Sequence, residues 1–128
     1  MRLLLDTHTL LWAAYKPGLL SARAANAVSD ASNEIFASAV SAMEIVTKYR
    51  IGKLGHAASL ANGFVGEMAL RRFSLLSIDC EHALRAGSLP GEHRDPWDRL
   101  LCAQALVEGM TLVSNDSKLA AFGVDTLW

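Results

Sequence analysis

Met1-Arg2-Leu3-Leu4-Leu5-Asp6-Thr7-His8-Thr9-Leu10-Leu11-Trp12-Ala13-Ala14 opens the chain, and its reading sets the fold class. Arg2 to Leu5 is a short apolar run closed by Asp6, the pattern of a parallel strand buried on both faces. Thr9 to Ala14 then has helical composition until Pro17-Gly18 forces a turn. Ser21 is positioned to cap an alanine-rich helix reaching about Ala31. Asn33 breaks it, and Glu34 to Ser38 reads as a second strand. A β-α-β unit is therefore expected within the first third of the chain.

The same alternation continues. Ser41-Ala42-Met43-Glu44 has the spacing of a capping box and predicts a helix from Ser41 to Gly52, with Ile45, Val46 and Tyr49 on its apolar side. Leu60 to Arg72 predicts another helix, Phe73 to Ile78 a third strand, and Asp79 a cap for a helix over Cys80 to Ala86. Gly87 to Arg94 reads as an exposed loop. Asp95-Pro96-Trp97-Asp98 is a strong helix start, with a capping aspartate and proline at the first helical position. That helix is expected to run to Glu108 and stop at Gly109. Thr111 to Val113, a turn at Asn115-Asp116-Ser117, a short helical turn over Leu119 to Phe122, and a strand over Val124 to Leu127 complete the order.

Strands alternating with helices imply an α/β fold, a three-layer α/β/α sandwich around a mostly parallel sheet. Its 128 residues suit a single domain spanning 1–128. In such sheets ligands gather beyond the carboxyl ends of the strands. Asp6 follows the first strand and Asp116 the fourth, while Glu44 and Asp98 lie on helices expected to start at that edge. Each acid has a bland reading by itself. Glu44 completes a capping box or pairs with Lys48, Asp98 complements a helix N-terminus, and Asp116 is a turn residue. Asp6 has no comparable local role, and it anchors the functional reading. Ionised carboxylates roughly 4 Å apart at an effective dielectric of about 20 repel by about 4 kcal/mol per pair. A fold that gathers four needs a compensating charge, and a divalent cation is the natural one.

Composition narrows the classes. The formal net charge is -1, so a nucleic-acid contact must come from a local basic patch rather than a global field. Lys48, Arg50 and Lys53, with Arg94 and Arg99, are the candidates. Hydrophobic residues make up 52% of the chain, which leaves apolar surface for an associating partner. Cys80 and Cys102 lack zinc-site spacing and read as reduced core residues, as in a cytosolic protein. Asp6 and His8 interrupt the apolar start before a secretory leader develops, so the mature chain is expected to begin at Met1. No uncharged stretch is long enough to span a membrane. The histidines show no metal-binding spacing. No phosphate-binding loop, dinucleotide fingerprint or hydrolase elbow occurs. Trp12, Trp97 and Trp128 read as core or interface anchors rather than base-stacking platforms.

Four segments together carry a resemblance that covers nearly the whole chain. They are Leu4-Leu5-Asp6-Thr7-His8, Ser38 to Ile45 (SAVSAMEI), His93 to Ala105 (HRDPWDRLLCAQA) and Val113-Ser114-Asn115-Asp116, followed by the ending Val124 to Trp128. The Asp95-Pro96-Trp97-Asp98-Arg99 segment is the most specific of them. The chain resembles the PIN-domain family, in particular its VapC-type toxins. The resemblance implies a metal-dependent endoribonuclease in which Asp6, Asp98 and Asp116 bind Mg²⁺, with Mn²⁺ able to substitute, and Glu44 is the fourth active-site acid, acting through water. It also implies a small antitoxin partner, a homodimer or higher assembly with it, and an RNA substrate; since RNA must approach an acidic pocket, Lys48, Arg50 and Arg99 are the first of the basic candidates to test as contacts. Ser114-Asn115 departs from the threonine often found before the last acid, but serine keeps the hydroxyl.

Two rival classes follow from the residues. A phospho-receiver module would use Asp79 as phosphoacceptor with Lys118 assisting, and it leaves Glu44 and Asp98 unexplained. A non-catalytic interaction domain would use the acids as caps only.

Overall fold

The computed structural model describes Met1–Trp128. Its strands are β1 (Arg2–Leu5), β2 (Glu34–Ser38), β3 (Ser74–Leu76), β4 (Thr111–Val113) and β5 (Thr126–Leu127). Its helices are α1 (Thr7–Tyr15), α2 (Ala22–Ser29), α3 (Ala39–Arg50), α4 (Ala58–Leu70), α5 (Cys80–Ser88) and α6 (Pro96–Glu108), with 3-10 turns at Pro17–Leu19 and Ser117–Phe122. The strands form one sheet in the order β3-β2-β1-β4-β5, and every pairing is parallel. This is the expected α/β sandwich, with the mostly parallel sheet wholly so.

Strand β1 lies at the centre, and its unbroken leucines show why. Side chains alternate across a strand, so Leu3 and Leu5 face one layer and Leu4 the other. Leu3 and Leu5 pack with Leu10, Ala24, Ile45, Leu60 and Met68 of α1 to α4. Leu4 packs with Leu101, Cys102 and Ala105 of α6 and Ala86 of α5. All three leucines are fully buried. Burying a leucine contributes about 1.5–3 kcal/mol, so this short run anchors both halves of the core.

Several boundaries differ from the sequence reading. Helix α3 begins at Ala39 because the Ser38 hydroxyl accepts from the Val40 amide at 2.9 Å, which makes Ser38 the cap. Ser41 therefore lies inside the helix, its hydroxyl bonded to Thr7 Oγ1 at 2.9 Å, and no capping box forms with Glu44. Helix α4 bends at Gly63, whose backbone leaves helical angles. Strand β3 is shorter than expected because it is the sheet edge and only half-covered. Cys80 is exposed at the first position of α5, contrary to the core reading, whereas Cys102 is buried. At α6 the Asp95 carboxylate accepts from the Trp97 and Asp98 amides, and Gly109 ends the helix at φ 64°. No helix is long and apolar enough to cross a membrane.

Candidate active site

A depression at the carboxyl edge of the sheet is lined by Asp6, Glu44, Asp98 and Asp116, with Asp95 on its rim. Each acid arrives on a different element. Asp6 stands between β1 and α1, where its backbone takes the N-cap position but its side chain makes no cap bond. Glu44 is carried into the pocket by the second turn of α3, Asp98 by the first turn of α6, and Asp116 by the cap of the 3-10 turn after β4. The parallel arrangement of β1 and β4, with Leu5 beside Val113, sets Asp6 and Asp116 at one end of adjacent strands.

Fixed hydrogen bonds hold these groups. The Ser114 hydroxyl donates to Asp6 Oδ2 at 2.7 Å and accepts from the Asp116 amide at 3.1 Å. Thr9 Oγ1 donates to the Val113 carbonyl at 2.8 Å, and Thr7 Oγ1 meets Ser41 Oγ, so α1 is tied to both β4 and α3. Gln104 is fully buried; its Oε1 accepts from Ser38 and its Nε2 donates to the Ser77 carbonyl, which fixes α6 against the same edge.

Burial, more than anything else, raises the Asp6 carboxyl above its usual range, with Glu44 adding repulsion and the Ser114 hydroxyl opposing it. Asp98 is raised for the same first reason, and the charges of Asp95 and Asp6 add to it while the His93 bond lowers it. Burial pushes the Cys102 thiol up to about 12, and the next causes are Asp98, Asp6 and Asp116. A thiol on α6 thus experiences three acids from distant parts of the chain as one negative field. Such concentrated like charge in a cleft is characteristic of functional sites.

The surrounding cations divide into two groups. Lys48 Nζ binds Glu44 Oε2 at 2.5 Å, and Lys118 lines the same depression. Arg99 does not reach outward as expected. Its guanidinium donates to the Ala86, His93 and Leu89 carbonyls and lies over the Phe122 ring, so it holds the loop before α6 rather than standing free for phosphate. Arg50 is exposed at the last residue of α3 and does not line the depression.

Two histidines assigned no role in the sequence reading stand at the site. His93 Nε2 lies 2.8 Å from Asp98 Oδ2, and His8 lines the depression beside Asp6. Their positions, five residues before one acid and two after another, were the available signal. His82 behaves otherwise. Asp79, His82 and Glu108 are the one trio whose potential ligand atoms all lie within 4.8 Å of one another. His82 Nδ1 accepts from the Asp79 amide while Nε2 is 2.9 Å from Glu108, so both nitrogens are satisfied by a capping box and its anchor on α6. Asp79 caps α5 and does not line the depression that holds Lys118, so the pairing a phospho-receiver would need is not formed.

The donors lining the depression are mainly carboxylate oxygens, with the His8 ring beside them and no thiolate, an oxygen-rich set that fits a hard cation such as Mg²⁺ or Mn²⁺ better than a thiophilic metal. The carboxylates surround the space rather than closing to within 4.8 Å, and Mg²⁺ commonly keeps several waters between itself and such ligands.

Solved structures with the same fold include VapBC2 from Rickettsia felis bound to a DNA fragment from their promoter, at TM-score 0.71 and 18% identity over 99% of this chain and 98% of that one. VapBC-1 from nontypeable Haemophilus influenzae matches at TM-score 0.66 and 15% identity, over 99% and 97% of the two chains. A toxin-antitoxin complex from Klebsiella pneumoniae matches at TM-score 0.63 and 21% identity, over 98% and 95%. No curated protein matches the chain. The PIN domain pattern matches residues 3–124, nearly its full length, and with that match the chain belongs to the PIN domain family.

Proposed function

We propose that residues 1–128 form a single nuclease domain, a metal-dependent endoribonuclease that serves as the toxin of a toxin–antitoxin pair. The observation that carries this reading is the gathering of Asp6, Glu44, Asp98 and Asp116 around one open depression. Family membership supports the nuclease class, and the toxin–antitoxin complexes among the solved structures support the pairing. Asp6, Asp98 and Asp116 would hold a divalent ion, Mg²⁺ or Mn²⁺, with Glu44 acting through water. When bound, such an ion supplies an activated water and offsets charge on the scissile phosphodiester.

The chain's own residues prepare the rest. Ser114 orients Asp6 and His93 orients Asp98, which holds each carboxylate at a fixed angle to the pocket. Lys48 offsets the Glu44 charge, and Lys118 brings a cation to the rim where a phosphate backbone would approach. The partner is a small antitoxin protein, and the toxin itself associates as a homodimer or in a higher assembly with it. Ile51, Val65, Leu70, Leu75 and Leu84 are exposed and provide the apolar surface such contacts need.

Incubating purified protein with total cellular RNA and Mg²⁺, beside an EDTA control and the Asp98→Asn variant, tests the reading. Cleavage is expected only in the first case. Equal cleavage under strict chelation, or by the variant, overturns it. Growth inhibition on expression alone, relieved by the product of an adjacent small gene, tests the pairing separately.

A further inference from the structure

A second cleft opens from the acidic depression between α1, α3 and the segment leading into α4. It is lined by His8, Trp12, Tyr15, Lys16, Lys48 and His56, with Leu11 and Leu54 as further apolar lining. Its volume is about 120 Å³, where a single water needs only about 10–15 Å³, so it accepts a group far larger than solvent. His8, Trp12, Glu44 and Lys48 belong to both spaces, which makes them continuous.

The rings of this cleft are held in place. Trp12 packs against Trp128 with centroids 5.7 Å apart, and His8 lies 6.1 Å from Trp12. The Tyr15 hydroxyl meets Ser59 Oγ at 2.5 Å and accepts from the Leu60 amide at 3.1 Å, while His56 stands edge-on to the Tyr15 ring. Aromatic rings with neighbouring lysines form the combination that receives an unstacked base and its flanking phosphates. We propose that this cleft is a nucleobase subsite, which takes a splayed base of single-stranded RNA from the nucleotide beside the bond presented to the acids.

The proposal rests on the nuclease reading and extends it to the substrate. It favours unpaired RNA over duplex, because a paired base cannot leave its stack to enter. Trp12, an anchor in the sequence reading, becomes the stacking wall, with Lys16 lining the cleft for the flanking phosphate and Lys48 held at the junction by its ion pair with Glu44.

The test uses a short single-stranded RNA whose cleavage site has first been mapped with the wild-type protein. Copies of that RNA lacking one base at each position in turn are bound to the Asp98→Asn protein and followed by fluorescence polarisation. One abasic position beside the mapped bond should weaken binding roughly 5- to 150-fold, the range of one base–aromatic stack. Adding Trp12→Leu should weaken the intact RNA comparably and make the abasic change silent, while Trp12→Phe restores most of the loss. His56→Ala, at an exposed rim residue, should produce a smaller loss and guards against a folding defect at Trp12. A flat abasic scan, or losses that multiply rather than overlap, overturns the subsite while leaving the nuclease standing. Unchanged RNA binding by Trp12→Leu with weakened binding of a protein partner assigns the cleft to that partner and also overturns it. Absence of any metal-dependent cleavage by the wild type defeats the nuclease reading, and the subsite with it.

Discussion

Ser114 Oγ donates to Asp6 Oδ2 at 2.7 Å, joining the end of β4 to the end of β1. Because the same hydroxyl accepts from the Asp116 amide, one small side chain sets the relation of two candidate metal-binding acids. Ser114→Ala should destabilise the fold by about 1–3 kcal/mol, since it leaves a buried carboxylate short of a donor. It also removes an influence that lowers the Asp6 carboxyl, so the acid limb of cleavage should move to higher pH. Ser114→Thr should restore both. Chemical denaturation and a pH–rate profile provide the check, and an unmoved acid limb would refute the assignment.

Asp6→Asn should abolish cleavage yet leave the protein more stable than wild type at neutral pH. Burial raises the folded Asp6 carboxyl above the unfolded value of 3.8, so the native state binds the proton more readily. Stability contributed by that protonation is complete below 3.8 and is lost as pH rises through the folded value. The advantage of asparagine should therefore be largest at neutral pH and vanish below about 3.8. Denaturation midpoints across pH measure it, and a variant less stable than wild type at pH 7 would contradict it.

His93 holds Asp98 at 2.8 Å and opposes the upward push of burial on that carboxyl. His93→Ala should raise it further, so the acid limb of the pH–rate profile should move to higher pH, with little change on the plateau above it. His93→Gln, which retains a donor, should recover part of the shift. An equal loss at every pH, with the acid limb unmoved, would show that His93 contributes only to folding.

Cations around the pocket should separate by salt dependence. Lys48→Ala and Lys118→Ala should each lessen the slope of log affinity for RNA against log salt by about 1 if they contact phosphate. Arg99→Ala should leave that slope unchanged and destabilise the protein by about 2 kcal/mol, because three backbone carbonyls lose their donor. A slope change at Arg99 without lost stability would reverse the assignment.

Divalent ions should raise the melting temperature of the wild type in a concentration-dependent way, because an ion that binds only the folded state stabilises it. The shift should largely disappear in Asp98→Asn and be reversed by EDTA. This readout is independent of cleavage. An equal shift in the variant would place the ion elsewhere, and the Asp79, His82 and Glu108 cluster would be the first alternative to test.

The sequence alone determined the alternation of strands and helices and the limits of β2, β4 and α6, and it nominated the four acids that line the depression. These are local properties, carried by apolar runs, a proline at a first helical position and a glycine that can adopt positive φ at a helix end. The start of α3 is ambiguous in the sequence because Ser38 and Ser41 both offer a hydroxyl at cap spacing. Only packing against Thr7 and Gln104 separates their roles. The same limit applies to Arg99 and the histidines. Whether a guanidinium meets phosphate or three carbonyls, and whether an imidazole meets Asp98 or Glu108, depends on which elements the sheet order places side by side. Sequence spacing can encode which groups a helix carries. Their pairing across distant elements is a long-range outcome of folding, so the tertiary structure alone decided which charges face the acidic pocket.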